Sequence, residues 1–193
     1  MHDRVDAVPK VTLSVDGAER GYAASLIFQT QVMSSGKQRI LLSVPPEMPE
    51  LFSRLVDRLQ PPLYVLYVLH TPRGEGEPGR YQSTELSGDE VRSFLSRFSA
   101  YFAEDARHDI WVYSPATKRS IIWDRHNELF AEGEPFADIV AELNVLGFKE
   151  GIVDRIASHD HIHHYRPELD ADAAAVVGAY DWYRTPLRPE DAQ

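Results

Sequence analysis

The chain contains no cysteine among its 193 residues. It can therefore form no disulfide bond, thiolate zinc site or cysteine nucleophile, and this lack is compatible with a reducing compartment. Long apolar runs are also missing. The longest, at residues 63–69, is too short to span a bilayer and favours a buried strand. Residues 1–20 lack the basic start and apolar stretch of a secretory signal, so we expect a soluble cytoplasmic protein without membrane association.

Positive charge is scarce. The sequence contains 20 lysines and arginines and 30 aspartates and glutamates, which gives a net charge of −10. No run of basic residues occurs. Because nucleic-acid affinity comes mainly from neutralised phosphates, this balance argues against a nucleic-acid partner. An acidic surface favours solubility and makes a basic protein the expected macromolecular partner.

Common catalytic motifs are missing as well, including the Gly-x-Ser-x-Gly elbow, the Walker loop and the His-Glu-x-x-His helix. Gly74, Gly76 and Gly79 match the spacing of a dinucleotide fingerprint. A strand rather than a helix is predicted after them, and Glu75 and Glu77 would repel a pyrophosphate. The segment is therefore interpreted as a hairpin loop.

The hydrophobic periodicity predicts an α+β fold. We expect a single domain with a mostly antiparallel or mixed sheet, about three packing helices and a C-terminal helical extension. Predicted strands fall near residues 11–15, 22–32, 39–44, 63–69, 81–86, 109–113, 119–123, 129–131 and 152–156. Predicted helices fall near residues 47–59, 88–104, 136–146 and 170–183. The domain is expected to span residues 1–148, with residues 149–193 as an extension packed on it.

Two arrangements follow from this pattern. The first three strands are interpreted as an N-terminal meander. Strand 39–44, helix 47–59 and strand 63–69 are interpreted as a βαβ unit, which would contain a parallel strand pair. At the helix ends, Ser87 and Glu90 form a capping-box pattern and Gly147 provides a stop signal.

A histidine cluster at residues 159–164 is the feature that composition does not explain, since it holds four of the eight histidines. On an extended strand, His159, His161 and His163 would project from one face. Their imidazoles are suitable ligands for zinc, nickel or iron. Asp160, His164 and Glu168 are the residues that would complete the coordination shell of the metal ion. The alternative is a polar linker whose imidazoles hydrogen-bond along the sheet edge.

Two metal families show partly similar spacing. His159, His161 and His164 resemble the His-x-His-x-Asp-His motif of metallo-β-lactamase-like hydrolases, but His163 stands where that family has aspartate. That motif also needs later ligands, and no histidine follows His164. His161, His163 and Glu168 resemble the cupin spacing, but the flanking glycines of that pattern are missing. These departures leave the chain unassigned to either family.

A second candidate lies in the polar segment 124–127, where Asp124 and His126 follow a predicted strand. A carboxylate beside an imidazole can perform acid–base work. The alternative is a tight turn between strands, because Asp and Asn side chains bond to local backbone.

Two functional hypotheses result. The first is an acidic binding protein without catalytic motifs, of immunity or antitoxin type, that masks a basic protein partner. Its contact surface would include Tyr180, Trp182 and Tyr183, unless these rings pin the extension onto the domain. The second is a small metal-binding protein or metal-dependent hydrolase that uses the histidine cluster. Homo-oligomerisation is left open by the sequence.

Overall fold

Within residues 9–192, which the computed structural model describes, the chain forms twelve strands in two sheets. The strands are β1 (Val11–Val15), β2 (Ala18–Arg20), β3 (Ile27–Val32), β4 (Gln38–Ser43), β5 (Tyr64–Leu69), β6 (Gly79–Gln82), β7 (His108–Ser114), β8 (Arg119–Trp123), β9 (Glu128–Glu132), β10 (Lys149–Glu150), β11 (His161–His163) and β12 (Tyr183–Thr185).

The large sheet has nine strands in the order β10-β3-β4-β9-β8-β7-β5-β6-β12. Among these strands only β3 and β10 pair in parallel, so the α+β prediction with a mostly antiparallel sheet is confirmed. The predicted βαβ unit is wrong. Strands β4 and β5 do not pair, because the antiparallel meander β7-β8-β9 lies between them and supplies the neighbours of both.

In the described part of the chain, five α-helices accompany the sheets: α1 (Leu51–Val56), α2 (Gly88–Arg97), α3 (Ser99–Glu104), α4 (Ala137–Val145) and α5 (Asp170–Val177). All five contribute to one core with alternate sheet residues such as Ile40, Tyr67 and Ile121. The helices therefore cover one face of the large sheet. The residues between these positions point to the other face, where Leu41 and Phe130 belong to a second, smaller cluster.

The helix boundaries follow the local signals. The capping box of α2 is present, since Glu90 N–H donates to Ser87 Oγ at 3.3 Å and Ser87 N–H donates to the Glu90 carboxylate at 2.7 Å. The helix predicted over 88–104 divides at Phe98 into α2 and α3. Helix α4 ends before Gly147, whose φ of +90° is the left-handed conformation that glycine adopts readily.

The small sheet has the order β11-β1-β2 and is antiparallel throughout. The predicted N-terminal meander is therefore wrong at its first strand, because β1 pairs with the late strand β11 rather than with β3. The strand expected at 152–156 is also wrong. There Arg155 turns to the buried carboxylate of Glu128 at 2.8 Å, and a 3₁₀ helix follows at Ile156–Ser158.

Residues 149–192 contribute to both sheets. Strand β10 forms one edge of the large sheet and β12 forms the other, while β11 is part of the small sheet. Among residues 9–192, no helix combines the length and apolar character needed to cross a membrane.

Candidate metal centre

The turn between β8 and β9 is built by its own polar side chains. Asp124 N–H donates to the Glu128 carbonyl at 2.9 Å, and Asn127 closes the turn with a φ of +62°. Asp124 Oδ1 accepts from the backbone N–H groups of His126, at 3.0 Å, and of Glu128, at 2.8 Å. Residues 124–127 therefore form a tight turn, which is one of the two interpretations that the sequence allows. The same turn holds the His126 side chain in a defined position.

Strand β11 supplies two more imidazoles. His161 lies opposite Leu13 of β1, and His163 lies opposite Val11, so both rings are on one face of the small sheet while Ile162 is on the other. Both histidines are half-buried. The alternation expected from the sequence is therefore present at these two positions.

His126, His161 and His163 converge across the boundary between the two sheets. Each offers a ring nitrogen that lies within 4.8 Å of the other two. The ring centroids are 5.1 Å apart for His126 and His161, 5.0 Å for His126 and His163, and 4.9 Å for His161 and His163. Three imidazoles with nitrogens about 2.0–2.1 Å from a tetrahedral ion would have centroids about 5 Å apart. The observed centroid distances match that value, whereas the ring nitrogens, which lie within 4.8 Å of one another, would have to approach to about 3.4 Å around such an ion.

Hydrogen bonds fix the orientation of two rings. His126 Nδ1 lies 3.1 Å from Asp124 Oδ2, and His161 Nδ1 lies 2.7 Å from the His159 carbonyl oxygen. Both acceptors favour the tautomer with hydrogen on Nδ1, which leaves Nε2 with a lone pair for an ion. A carboxylate or carbonyl behind a histidine ligand is the usual support in metal sites. Within residues 9–192, His163 Nε2 is buried and has no hydrogen-bond partner.

The charge state of His163 suits a ligand. Burial lowers the pKa of this imidazole to about 3, and the neighbouring His126, His161 and Arg125 act in the same direction. The carboxylate of Asp124 opposes them. His163 is therefore neutral at physiological pH, which is the form that can donate a lone pair to a metal.

The structure places His159 and His164 outside this group. The His159 ring is exposed, and its Nε2 lies 2.8 Å from Asp154 Oδ1. The His164 ring points to the other side of the chain, with Nε2 at 2.9 Å from Thr12 Oγ1 and 3.0 Å from a Glu19 carboxylate oxygen.

The two predicted acidic supplements are also elsewhere. Asp160 is exposed and contributes its backbone carbonyl to the small sheet by accepting from Ser14 N–H at 2.8 Å. Glu168 is exposed, with a carboxylate oxygen 3.8 Å from Arg166. The structure thus joins His161 and His163 from one sequence candidate with Asp124 and His126 from the other.

The aromatic residues near the C-terminus divide into two groups. Tyr180 and Trp182 pack against Phe94, at ring distances of 5.2 and 6.2 Å, and both contact the main core. Tyr183 lies on the edge strand β12 and is 72% exposed. Of the three rings, that of Tyr183 is exposed, whereas those of Tyr180 and Trp182 are half-buried.

A buried lysine lies close to the junction of the two sheets. Lys10 precedes β1 and is fully buried; its Nζ donates to the Phe102 carbonyl at 3.3 Å and lies 4.3 Å from the Trp123 ring centroid. Burial lowers its pKa to about 8, although Asp124 and Asp109 favour the charged form. The chain therefore carries a poorly solvated ammonium group beside the candidate centre.

No protein-family model, curated protein or solved structure matches the chain. The convergence of His126, His161 and His163 is therefore the feature from which a function can be inferred.

Proposed function

We propose that the protein binds a divalent transition-metal ion, with zinc favoured, through His126, His161 and His163. The observation that supports this most strongly is the convergence of one ring nitrogen from each of three histidines within 4.8 Å. In addition, His163 Nε2 is buried and has no hydrogen-bond partner among the described residues. A buried ring nitrogen without a hydrogen bond is costly, and an ion would satisfy it. The Asp124 carboxylate behind His126 supplies the supporting contact that such ligands have.

The composition of the site favours an ion with an open coordination position. Zinc is usually four-coordinate, and catalytic zinc sites combine three protein ligands with a water molecule. His161 and His163 are half-buried, so solvent reaches the group from one side. Zinc lowers the pKa of a bound water to about 7 and so supplies a hydroxide nucleophile at neutral pH. Metal-dependent hydrolysis is therefore the reaction class that the site supports.

The test of metal binding is a zinc titration of untagged protein by calorimetry. We expect one zinc site, and at least about a 100-fold loss of affinity in His126→Ala, since removing even a supporting contact costs 10- to 100-fold. His159→Ala is the matched control, because this histidine is in the sequence cluster but outside the converging group. Loss of affinity in His159→Ala with full retention in His126→Ala would contradict the proposal.

Binding of a protein partner is a second candidate function, favoured by an open aromatic area. On the sheet face opposite the helices, Tyr64, Leu66, Trp111 and Tyr113 line a cavity of about 600 Å³. Exposed apolar patches of this kind mark interaction sites. The net charge of −10 makes a basic protein the expected partner.

Pull-downs with the wild-type chain and Tyr113→Ala provide the test. A basic protein recovered by the wild type at low salt and lost in the variant would support this function. A recovered set that is the same for both proteins would contradict it.

A further inference from the structure

The small sheet consists of three short strands. Strand β1 has five residues, and β2 and β11 have three each. Every residue of β2 is exposed. Because sheets of so few short strands are marginal unless they pack on another element, the stability of this sheet depends on how it is held to the rest of the domain.

The hydrogen bonds that join the small sheet to the main core lie next to the ends of β1 and β11, where Arg166 N–H also donates to Asp105 Oδ2 at 2.8 Å. The His164 carbonyl, directly after β11, accepts from Ala106 N–H at 3.0 Å. Lys10, directly before β1, donates to the Phe102 carbonyl at 3.3 Å, and Val11 is buried. The Lys10 contact places an ammonium group in a buried position. The loss of hydration of this group reduces the stabilisation that the contact provides.

The candidate metal centre bridges this boundary. His126 belongs to the turn between β8 and β9 of the large sheet, whereas His161 and His163 belong to β11 of the small sheet. An ion held by all three would connect two parts of the chain that are far apart in sequence. Such a cross-link disfavours the opened state, since separating the sheets would also separate the ligands.

We propose that the bound ion is a latch that holds β11, and with it the small sheet, against the large sheet. This inference depends on the proposed metal binding and adds to it a conformational consequence. Binding and docking are thermodynamically linked: the ion binds the docked state, so it lowers the population of the undocked state by the factor 1 + [Zn]/Kd. At a free zinc concentration 100 times Kd, undocking becomes about 100-fold rarer.

Hydrogen exchange of single amides, measured by NMR, tests the latch. The Ala106 amide reports docking because its acceptor is the His164 carbonyl. The Ser83 amide, which donates to Val65 in the large sheet at 2.8 Å, is the internal reference. Without zinc we expect Ala106 to exchange faster than Ser83, because undocking requires less free energy than global unfolding, and we expect zinc to slow exchange at Ala106 by up to about 100-fold.

Variants separate the latch from metal binding itself. His126→Ala should abolish the slowing at Ala106, whereas His159→Ala should retain it. Zinc binding without any slowing at Ala106 would overturn the latch and leave the metal site standing. Equal exchange rates at Ala106 and Ser83 without zinc would also overturn it, because exchange at Ala106 would then follow global unfolding. Absence of zinc binding would remove both the proposed function and the latch.

Discussion

The buried ammonium group of Lys10 makes a quantitative prediction about stability. Lys10→Met keeps a side chain of similar length in the same space but removes the charge. In the native protein, burial lowers the pKa of Lys10 from 10.5 to about 8. The charged form is thus disfavoured in the folded state relative to the unfolded state, and the substitution removes this penalty.

The sign of the pH dependence follows from proton binding. Between pH 8 and 10.5 the unfolded chain keeps the lysine proton while the folded chain has released it, so the free energy of unfolding rises with pH in this window. A difference of 2.5 pKa units, from 10.5 − 8, corresponds to about 3 kcal/mol at 1.36 kcal/mol per unit. The free energy of unfolding of the wild-type protein therefore rises by this amount across the window, whereas that of Lys10→Met does not.

Urea unfolding of both proteins at several pH values from 7 to 11, in the presence of a chelator, measures the effect. Other groups titrate equally in both proteins, so the difference between their unfolding free energies isolates Lys10. We expect the stability of Lys10→Met relative to wild type to fall by about 3 kcal/mol across this range. Parallel stability curves would refute the argument that Lys10 is a desolvated charge.

Two further substitutions test the contacts around the centre and the main core. Asp124→Asn should weaken zinc binding by about 10- to 100-fold in a competitive titration, because it replaces the carboxylate behind His126, while Asp154→Asn should leave it unchanged. Arg107→Ala should reduce the free energy of unfolding in urea by about 3–5 kcal/mol, since it leaves the buried carboxylate of Asp105 unpaired. Arg92→Ala should leave the free energy of unfolding nearly unchanged, because the Arg92 side chain in this ion pair is 53% exposed. Equal losses for either pair would contradict the corresponding argument.

Most elements of the fold could be predicted because their signals are local. The capping box at Ser87, the stop at Gly147 and the strands predicted at 109–113 and 119–123 depend on neighbouring residues, and all are present. The order of the strands could not be predicted in this way. The insertion of β7-β8-β9 between β4 and β5 is decided by long-range packing, to which a helix flanked by two strands gives no clue.

The candidate site could likewise be predicted only in part from the sequence. Alternation along the cluster groups His159 with His161 and His163. In the structure His159 follows the 3₁₀ helix Ile156–Ser158, and its ring turns to Asp154. The sequence presents His126 only as part of a separate acid–base candidate in a polar segment. Its approach to β11 depends on the pairing of β11 with β1, two strands that are far apart in the sequence. No local pattern carries that information.

The most direct measurement is an anomalous difference map at the zinc absorption edge from crystals of the untagged protein grown with zinc. If the three histidines bind zinc, we expect a single strong peak about 2.0–2.1 Å from one nitrogen each of His126, His161 and His163. A peak between His159 and Asp154, or no peak among the three rings at saturating zinc, would contradict it.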